Sequence, residues 1–278
     1  MLAGWTGEQE RLHRSPSDVA QSTLASVVLS TWKMSEHPLN SIWSWPNQRL
    51  LIIAPHLDDE VLGCGGLISV AKRAGAEVFV MFATVGGTHE FSPAGASTAC
   101  QRKCELANVA ARLGLDGYEI LFDGQDSQGR LDMWPQVDLI RAIECQGPLS
   151  INVLRPSHVL LPDIAGYHQD HRAVAQAAMT ALRPGSPALK HQPSCVLGYE
   201  LVADHWTLAA ARNPTVFVEL SESDLATKID AMTLYTSQVR EQPNPRYLGL
   251  LRGLAEIRGA QCGARLAEAF YCLRWRAA

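Results

Sequence analysis

The sequence is poor in the features that mark several common classes of protein. It has no continuous apolar segment of about eighteen residues, which a membrane-spanning helix requires. It has no run of five like charges, and its formal net charge is only -4, so nothing in it predicts binding to nucleic acid or to an anionic membrane. We therefore expect a small substrate that is neutral or polar, while the sequence leaves the oligomeric state open.

The seven cysteines include no Cys-x-x-Cys pair, and their odd number cannot be paired completely within the chain. Both facts favour reduced thiols and a cytoplasmic location. The one segment that resembles a targeting signal, residues 22–30, is short and interrupted by serines, so it lacks the layout of a signal peptide.

Apolar residues make up 47% of the sequence and charged residues 19%, a composition that suits a globular protein with a full core. Residues 1–48 are predicted to be an N-terminal extension packed on the core, because their apolar content is too small for them to fold alone. Residues 49–278 are predicted to form a single domain.

From residue 50 onward, short apolar runs alternate with helical patterns. The predicted strands cover residues 50–54, 77–85, 118–122 and 158–162. The predicted helices cover residues 60–74, 98–113, 134–145 and a segment from the "HQDH" motif to about residue 182. This alternation indicates an α/β fold, a Rossmann-like and mostly parallel sheet with helices on both faces.

The last third of the chain has a different pattern. "CVLGYEL" and "TVFVEL" are predicted strands, "SDLATKIDAMTLYTSQ" is predicted to be a capped amphipathic helix, and "QPNPRY" is predicted to be a loop. We expect this part of the chain to complete the edge of the sheet and to wall one side of a pocket.

"APHLDDEVLGCGG", residues 54–66, fits two kinds of site. Its glycines resemble those of cofactor-binding turns, which is the basis of an alternative hypothesis, a transferase that uses S-adenosylmethionine or a nucleotide. In a pyrophosphate-binding turn, however, glycines follow the strand directly, so that bare N–H groups face the anion. Here Asp58, Asp59 and Glu60 occupy the turn and would repel a phosphate. We interpret the glycines as positions where the helix approaches the sheet closely.

The charged residues of this segment favour a metal site instead. His56 and Asp59 lie at the carboxyl end of one predicted strand, and the "HQDH" motif, residues 168–171, follows another. Because the carboxyl ends of parallel strands share one edge of a sheet, we expect the two groups to meet. Two histidines and one carboxylate, with a fourth position left for water, form a catalytic zinc pattern. One of His168 and His171 is expected to ligate.

Asp58 is then placed to act as general base, and the histidine that does not ligate could stabilise an oxyanion or protonate a leaving nitrogen. Taken singly, each acidic residue could instead cap a helix and complement its dipole. Two such clusters, each directly after a core strand of one predicted sheet, favour the catalytic interpretation.

These motifs resemble those of a known family, the PIG-L/LmbE-like zinc-dependent N-acetylglucosaminyl deacetylases. The family's AHPDDE and H-x-D-H motifs stand here as "PHLDDE" and "HQDH". Its T-x-G loop and R-x-x-E motif are matched by "TVGG", residues 84–87, and by Arg102 and Glu105. The family also has an aspartate in an Asp-Gly-type loop after its third strand, which this sequence matches less clearly. The nearest candidate for that aspartate is Asp126. The resemblance runs from about residue 50 to residue 270.

The resemblance implies zinc bound by His56, Asp59 and His171, with Asp58 as general base and His168 as the second catalytic group. It also suggests that Arg102 and Asp126 hold sugar hydroxyls. For Arg102 the alternative is a surface ion pair with Glu105, and for Asp126 it is a role in the loop turn.

One departure from the family is Leu57, which stands where the family usually has proline. Because proline fixes φ and stiffens a turn, its loss is expected to loosen the placement of the ligands slightly.

The resulting hypothesis is a zinc-dependent hydrolase that removes the N-acetyl group from an N-acetylglucosamine-containing substrate and releases acetate. The transferase remains the alternative, and a non-catalytic sugar-binding module is disfavoured because a binder needs no spare base. The loops at residues 86–97, 123–133 and 239–247 are expected to select the carrier of the sugar, but their sequences contain no motif that identifies it.

Overall fold

The computed structural model describes residues 45–87, 97–123, 127–207 and 212–276. Residues 45–278 form one compact unit. All of the predicted N-terminal extension except residues 45–48 lies outside the described residues, so its packing on the core stays a prediction. Within the described parts of the chain, no helix is long and apolar enough to cross a membrane.

The strands of the described residues form one mixed sheet. They are β1 (Arg49–Ala54), β2 (Glu77–Val85), β3 (Gly117–Asp123), β4 (His158–Pro162), β5 (Cys195–Tyr199), β6 (Val216–Glu219) and β7 (Ala267–Trp275). Their order across the sheet is β3-β2-β1-β4-β5-β7-β6. The pairs from β3 to β5 are parallel, and β7 is antiparallel to both β5 and β6. The predicted fold class is thereby confirmed.

The helices follow the predicted sequence of elements, with two additions. They are α1 (Asp59–Arg73), α2 (Ala99–Leu113), α3 (Gln136–Glu144), α4 (Ile151–Leu154), α5 (Gln169–Ala181), α6 (Glu222–Leu234) and α7 (Leu248–Cys262). The short α4 and the longer α7 are the additions. Helix α6 begins with a capping box in which the Ser221 hydroxyl accepts the Asp224 N–H, as the serine and acidic residue before an apolar stripe predict.

The sheet is covered on both sides because β1 is apolar and buried from Leu50 to Ala54. Leu51 and Ile53 pack in one core with residues of α3 and α5. Successive side chains of a strand point to opposite faces, so Leu50 and Ile52, which are also fully buried, need a second layer. Helices α1, α2 and α6, which pack against one another, supply it.

The strand order places β1 beside β4 at the centre of the sheet. The chain leaves β1 toward β2 on one side, whereas the later strands β4 and β5 lie on the other. The strand order therefore changes direction between β1 and β4. At such a point the loops after the two central strands run to opposite sides and leave a crevice at the carboxyl edge of the sheet, where open α/β sheets bind their ligands. Both predicted motifs lie in these two loops.

The C-terminal part completes the edge of the sheet as expected, with β6 at the edge, but β7, which lies between β5 and β6, was not among the predicted strands. The sequence did not predict α7, because its segment contains Gly249, Gly253 and Gly259, and glycine is a poor helix former. Gly259 is required for packing, since a Cβ there would lie 2.6 Å from the backbone of Arg265.

Candidate metal centre and active site

Three predicted ligands meet at the crevice between β1 and β4. Asp59 Oδ2 lies 3.5 Å from His56 Nδ1 and 3.4 Å from His171 Nε2. The three ligand atoms all lie within 4.8 Å of one another, and all three residues are buried. His56 and Asp59 come from the turn that joins β1 to α1, and His171 comes from the first turn of α5.

The spacing of these atoms fits a divalent metal. Ligands about 2.0–2.1 Å from a tetrahedral zinc ion are about 3.3 Å from each other, close to the separations found around Asp59. Both histidines have a carboxylate on their outer nitrogen. His56 Nε2 lies 2.8 Å from Asp170 Oδ2, and His171 Nδ1 lies 3.6 Å from Asp204 Oδ2. Such carboxylates orient ligating histidines and raise their basicity.

A second group of donors, His56, His168 and Asp170, also lies close together. It is less suited to a metal because the Asp170 carboxylate is already engaged. Asp170 Oδ2 accepts the Gly129 N–H at 2.6 Å and Oδ1 accepts the Leu131 N–H at 2.9 Å. We therefore assign Asp170 to supporting His56 and keep the three predicted ligands as the candidate metal centre.

The electrostatics of the centre favour a cation. Burial by itself disfavours the charged form of Asp59, but His171 and His56 hold the pKa of this carboxyl well below its usual range. Burial by itself lowers the pKa of His171, but Asp59 and Asp204 raise it to about 10. The carboxylates thus draw positive charge to this point, and a metal ion there would take the place of the proton on His171.

Asp58 occupies a strained turn beside the ligands. Its φ is 130°, a region that residues other than glycine rarely adopt, and its side chain is fully buried. The carbonyl of Leu57 accepts a hydrogen bond from Arg102 Nη2 at 2.7 Å, and the Asp58 N–H donates to Glu60 Oε2 at 3.1 Å. Tyr235 Oη donates to Glu60 Oε1 at 2.6 Å. Strain of this kind persists only where the surroundings enforce it, and these bonds do so.

Arg246 Nε lies 3.1 Å from Oδ2 of the Asp58 carboxylate. Burial raises the pKa of Asp58, while Arg246 acts in the opposite direction. Arg246 lies in the loop after α6, one of the three loops expected to select the carrier of the sugar, and no role was predicted for the residue itself. Its side chain is 39% exposed, whereas the side chain of Asp58 is fully buried.

Leu57, which stands where the family usually has proline, is constrained in the turn by its surroundings, and the expected loosening of the ligands stays a prediction. Its side chain is fully buried and its carbonyl is held by the Arg102 guanidinium. Packing and a hydrogen bond thus supply a constraint that a proline ring would supply covalently. The expected effect on metal affinity stays a prediction.

His168 lies next to the centre without belonging to it. Its ring centroid is 4.9 Å from that of His56 and 5.0 Å from that of His171. His168 Nδ1 accepts the Asp170 N–H at 3.1 Å, which leaves the proton of a neutral ring on Nε2. Burial, with a contribution from His56 and His171, lowers the pKa of His168 to about 4. At neutral pH its ring is therefore uncharged, and it acts as a hydrogen-bond donor through Nε2.

The centre opens into a small cavity of about 50 Å³. Its walls come from α1, the loop after β4, the turn after β5 and the loop after α6. Pro245 and Arg246 of the last loop line it, which agrees with the expectation that the C-terminal part walls a pocket.

The predicted substrate residues have different outcomes. Arg102 is only 1% exposed and bonds to Leu57 and Gln128, so the alternative of a surface ion pair with Glu105 is wrong. The Glu105 carboxylate instead accepts hydrogen bonds from Thr236 and Ser237. A sugar contact by Arg102 stays a prediction. Asp126 lies outside the described residues, and its role as a substrate contact also stays a prediction.

Sequence reasoning did not assign roles to several residues of the site. Asp170 and Glu60 stand inside the two motifs, Asp170 beside the candidate ligand His171 and Glu60 two residues after the candidate base Asp58. These positions were the only indication in the sequence that the two carboxylates belong to the site. Asp204, Tyr235 and Arg246 carry no local signal, because they reach the site only through the packing of distant segments.

The glycines of α1 serve close packing, as predicted. A Cβ on Gly63 would lie 2.4 Å from Tyr199 Cδ2, and one on Gly66 would lie 2.6 Å from Leu220 Cδ1. Gly65 is equally crowded by the side chain of Lys228, at 2.7 Å. Protein side chains pack directly against these glycines, which does not favour the alternative transferase.

Residues 51–182 match the model of the PIG-L family, which is described as GlcNAc-PI de-N-acetylase. The match covers β1 to α5 and thus contains every candidate ligand together with Asp58 and His168. It confirms the resemblance that the sequence motifs indicate.

Two curated relatives and one solved structure extend this match. The chain is 27% identical over 227 residues to 2'-N-acetylparomamine deacetylase of Streptomyces fradiae, covering 76% of this chain and 81% of the relative. It is 26% identical over 262 residues to diacetylchitobiose deacetylase of Thermococcus kodakarensis, covering 90% of each. The structure of N,N'-diacetylchitobiose deacetylase from Pyrococcus horikoshii shares the fold, with a TM-score of 0.61, 20% identity and 95% coverage of both chains.

Proposed function

Because residues 51–182 match the model of the PIG-L family, we propose that the chain is a zinc-dependent hydrolase of N-acetylated amino sugars. The reaction removes the N-acetyl group from an N-acetylglucosamine-containing substrate and releases acetate and a free amine. The names of both curated relatives, which describe deacetylases of N-acetylated amino sugars, support this substrate class.

The observation that carries the proposal is the pair of adjacent buried aspartates at the end of β1. Asp59 faces both histidines of the candidate metal centre, whereas Asp58 contacts Arg246 instead. A site that only held a metal would have no use for a second buried carboxylate in a strained turn. A hydrolase has one, because the water that attacks an amide must lose a proton.

A divalent metal held by His56, Asp59 and His171 would supply Lewis acidity, lowering the pKa of water and polarising a carbonyl oxygen. Asp58 accepts the proton of the attacking water, and Arg246 holds its carboxylate in position. His168 donates a hydrogen bond from Nε2 to the oxygen of the tetrahedral intermediate. The proton taken by Asp58 then leaves with the amine.

The test compares Asp58→Asn with the unmodified protein. We expect both proteins to hold about one zinc per chain by elemental analysis, and only the unmodified protein to release acetate from N-acetylglucosamine, N,N'-diacetylchitobiose or 2'-N-acetylparomamine. Asp138→Asn, on the exposed face of α3, is the matched control and should keep full activity. Acetate release by the Asp58 variant would contradict the assigned base, and failure of the zinc-loaded unmodified protein on all three sugars would contradict the proposed function.

A further inference from the structure

A second cleft of about 680 Å³ lies beside the metal cavity. Its walls are residues 164–167, from the loop after β4, and residues 205–207, from the turn after β5. Tyr167 lines both this cleft and the cavity that contains His56 and Asp59. A ligand in the metal cavity could therefore continue past Tyr167 into the cleft.

The two walls of this cleft are joined by hydrogen bonds. Thr207 Oγ1 donates to the carbonyl of Ala165 at 2.6 Å, which connects one wall with the other. Arg172 of α5 donates to the carbonyls of Gly166 and Tyr167. His205 Nε2 lies 3.2 Å from the buried carboxylate of Glu200. The cleft is thus held open by contacts within the protein.

Its surface is apolar where it faces solvent. Trp206 is 81% exposed, Tyr167 is 48% exposed and Ile164 is 47% exposed. Large aromatic side chains gain most from burial, so a cluster of them around an open cleft marks a binding site more often than a bare surface. The neighbouring cation Arg172 makes hydrogen bonds to the loop, and His205 pairs with Glu200, so the cleft offers flat apolar faces more than a counter-charge.

We propose that this cleft binds the ring that adjoins the N-acetylated sugar of the substrate. The ring is neutral and presents a flat apolar face to Trp206 and Tyr167, as either a second sugar or an aromatic aglycone does. The inference rests on the proposed function and goes beyond it, because it makes the enzyme select substrates with two rings over a single sugar.

The experiment measures kcat/KM for acetate release from three substrates. These are the methyl glycoside of N-acetylglucosamine, N,N'-diacetylchitobiose and a phenyl N-acetylglucosaminide, so the last two separate a second sugar from an aromatic aglycone. In Trp206→Ala we expect the preference for the better two-ring substrate over the methyl glycoside to fall about tenfold, the size of effect that aromatic stacking gives. Trp206→Phe should restore most of the preference.

Tyr118→Ala is the matched control, because Tyr118 is an aromatic residue of β3 that is 43% exposed and does not line the cleft. It should leave the preference unchanged. Calorimetric binding of N,N'-diacetylchitobiose to the inactive Asp58→Asn protein, with and without Trp206→Ala, adds a readout that needs no turnover.

An unchanged preference and an unchanged dissociation constant in Trp206→Ala would overturn the inference. A protein that releases acetate from all three substrates without any preference would also overturn it while leaving the proposed function intact. Absence of acetate release from every substrate would instead contradict the proposed function itself.

Discussion

Arg246 Nε lies 3.1 Å from Oδ2 of Asp58, so an arginine near the C-terminus of the chain contacts the candidate base that follows the first strand. The contact joins the loop after α6 to the turn between β1 and α1. The C-terminal third of the chain therefore contacts the candidate base in addition to completing the sheet.

We predict that Arg246→Ala lowers kcat/KM for acetate release by roughly tenfold to hundredfold, because a misplaced catalytic group costs about that much. Zinc content should not change, since the ion pair of Arg246 is with Asp58, which is not one of the three candidate ligands. Arg246→Lys should recover part of the activity, because it keeps the charge without the planar geometry. Arg252→Ala, which removes an exposed arginine of α7, serves as the control. Loss of zinc from the Ala variant would show that Arg246 acts on the metal centre instead.

The carboxylates behind the histidines should determine metal affinity. Asp204→Asn removes the charge that faces His171, and Asp170→Asn removes the charge that faces His56. Each should weaken zinc binding by roughly tenfold to hundredfold, as measured by competition with a chelator. Asp230→Asn, at an exposed ion pair with Arg112, should bind zinc as the unmodified protein does. Equal affinities in all three variants would contradict the supporting role.

The bond from Tyr235 to Glu60 should stabilise both the fold and the turn that carries Asp58. Tyr235→Phe leaves a buried carboxyl with one partner fewer, which should lower the free energy of unfolding in urea by about 1–3 kcal/mol. We also expect a lower kcat with unchanged zinc content, because the Glu60 carboxylate that accepts the Asp58 N–H loses its support. A variant with the expected loss of stability and a full kcat would mean that Tyr235 has no part in positioning the base.

Glycines at two helical positions should respond to alanine in opposite directions. Gly63→Ala places a Cβ 2.4 Å from Tyr199, so overpacking should lower the free energy of unfolding by about 1–3 kcal/mol. Gly253→Ala meets no atom within 4 Å, and alanine is the better helix former, so it should raise the free energy of unfolding by up to about 1 kcal/mol. Urea unfolding of both proteins measures this difference. A Gly63→Ala protein as stable as the original would show that α1 does not need its close approach to β5.

Much of the fold follows from local pattern. The predicted strand at residues 77–85 agrees with β2 at both ends, and the helix predicted at residues 98–113 differs from α2 by one residue. Thr98 and Gly114 give these bounds, since a threonine hydroxyl caps the first turn and Gly114 has the positive φ that ends a helix. Helix α7 was not predicted, because its three glycines hide the helical pattern.

The sequence by itself determined which residues could perform the chemistry. His56, Asp58 and Asp59 lie within four residues of one another in the chain, and the histidines of "HQDH" follow a second apolar strand. Because the carboxyl ends of parallel strands share one edge of a sheet, these two groups of residues come together. Only the tertiary structure decided how these groups are held. Asp204, Tyr235 and Arg246 reach them from segments 33 or more residues away from either motif, and no local pattern encodes a contact made by the packing of separate loops.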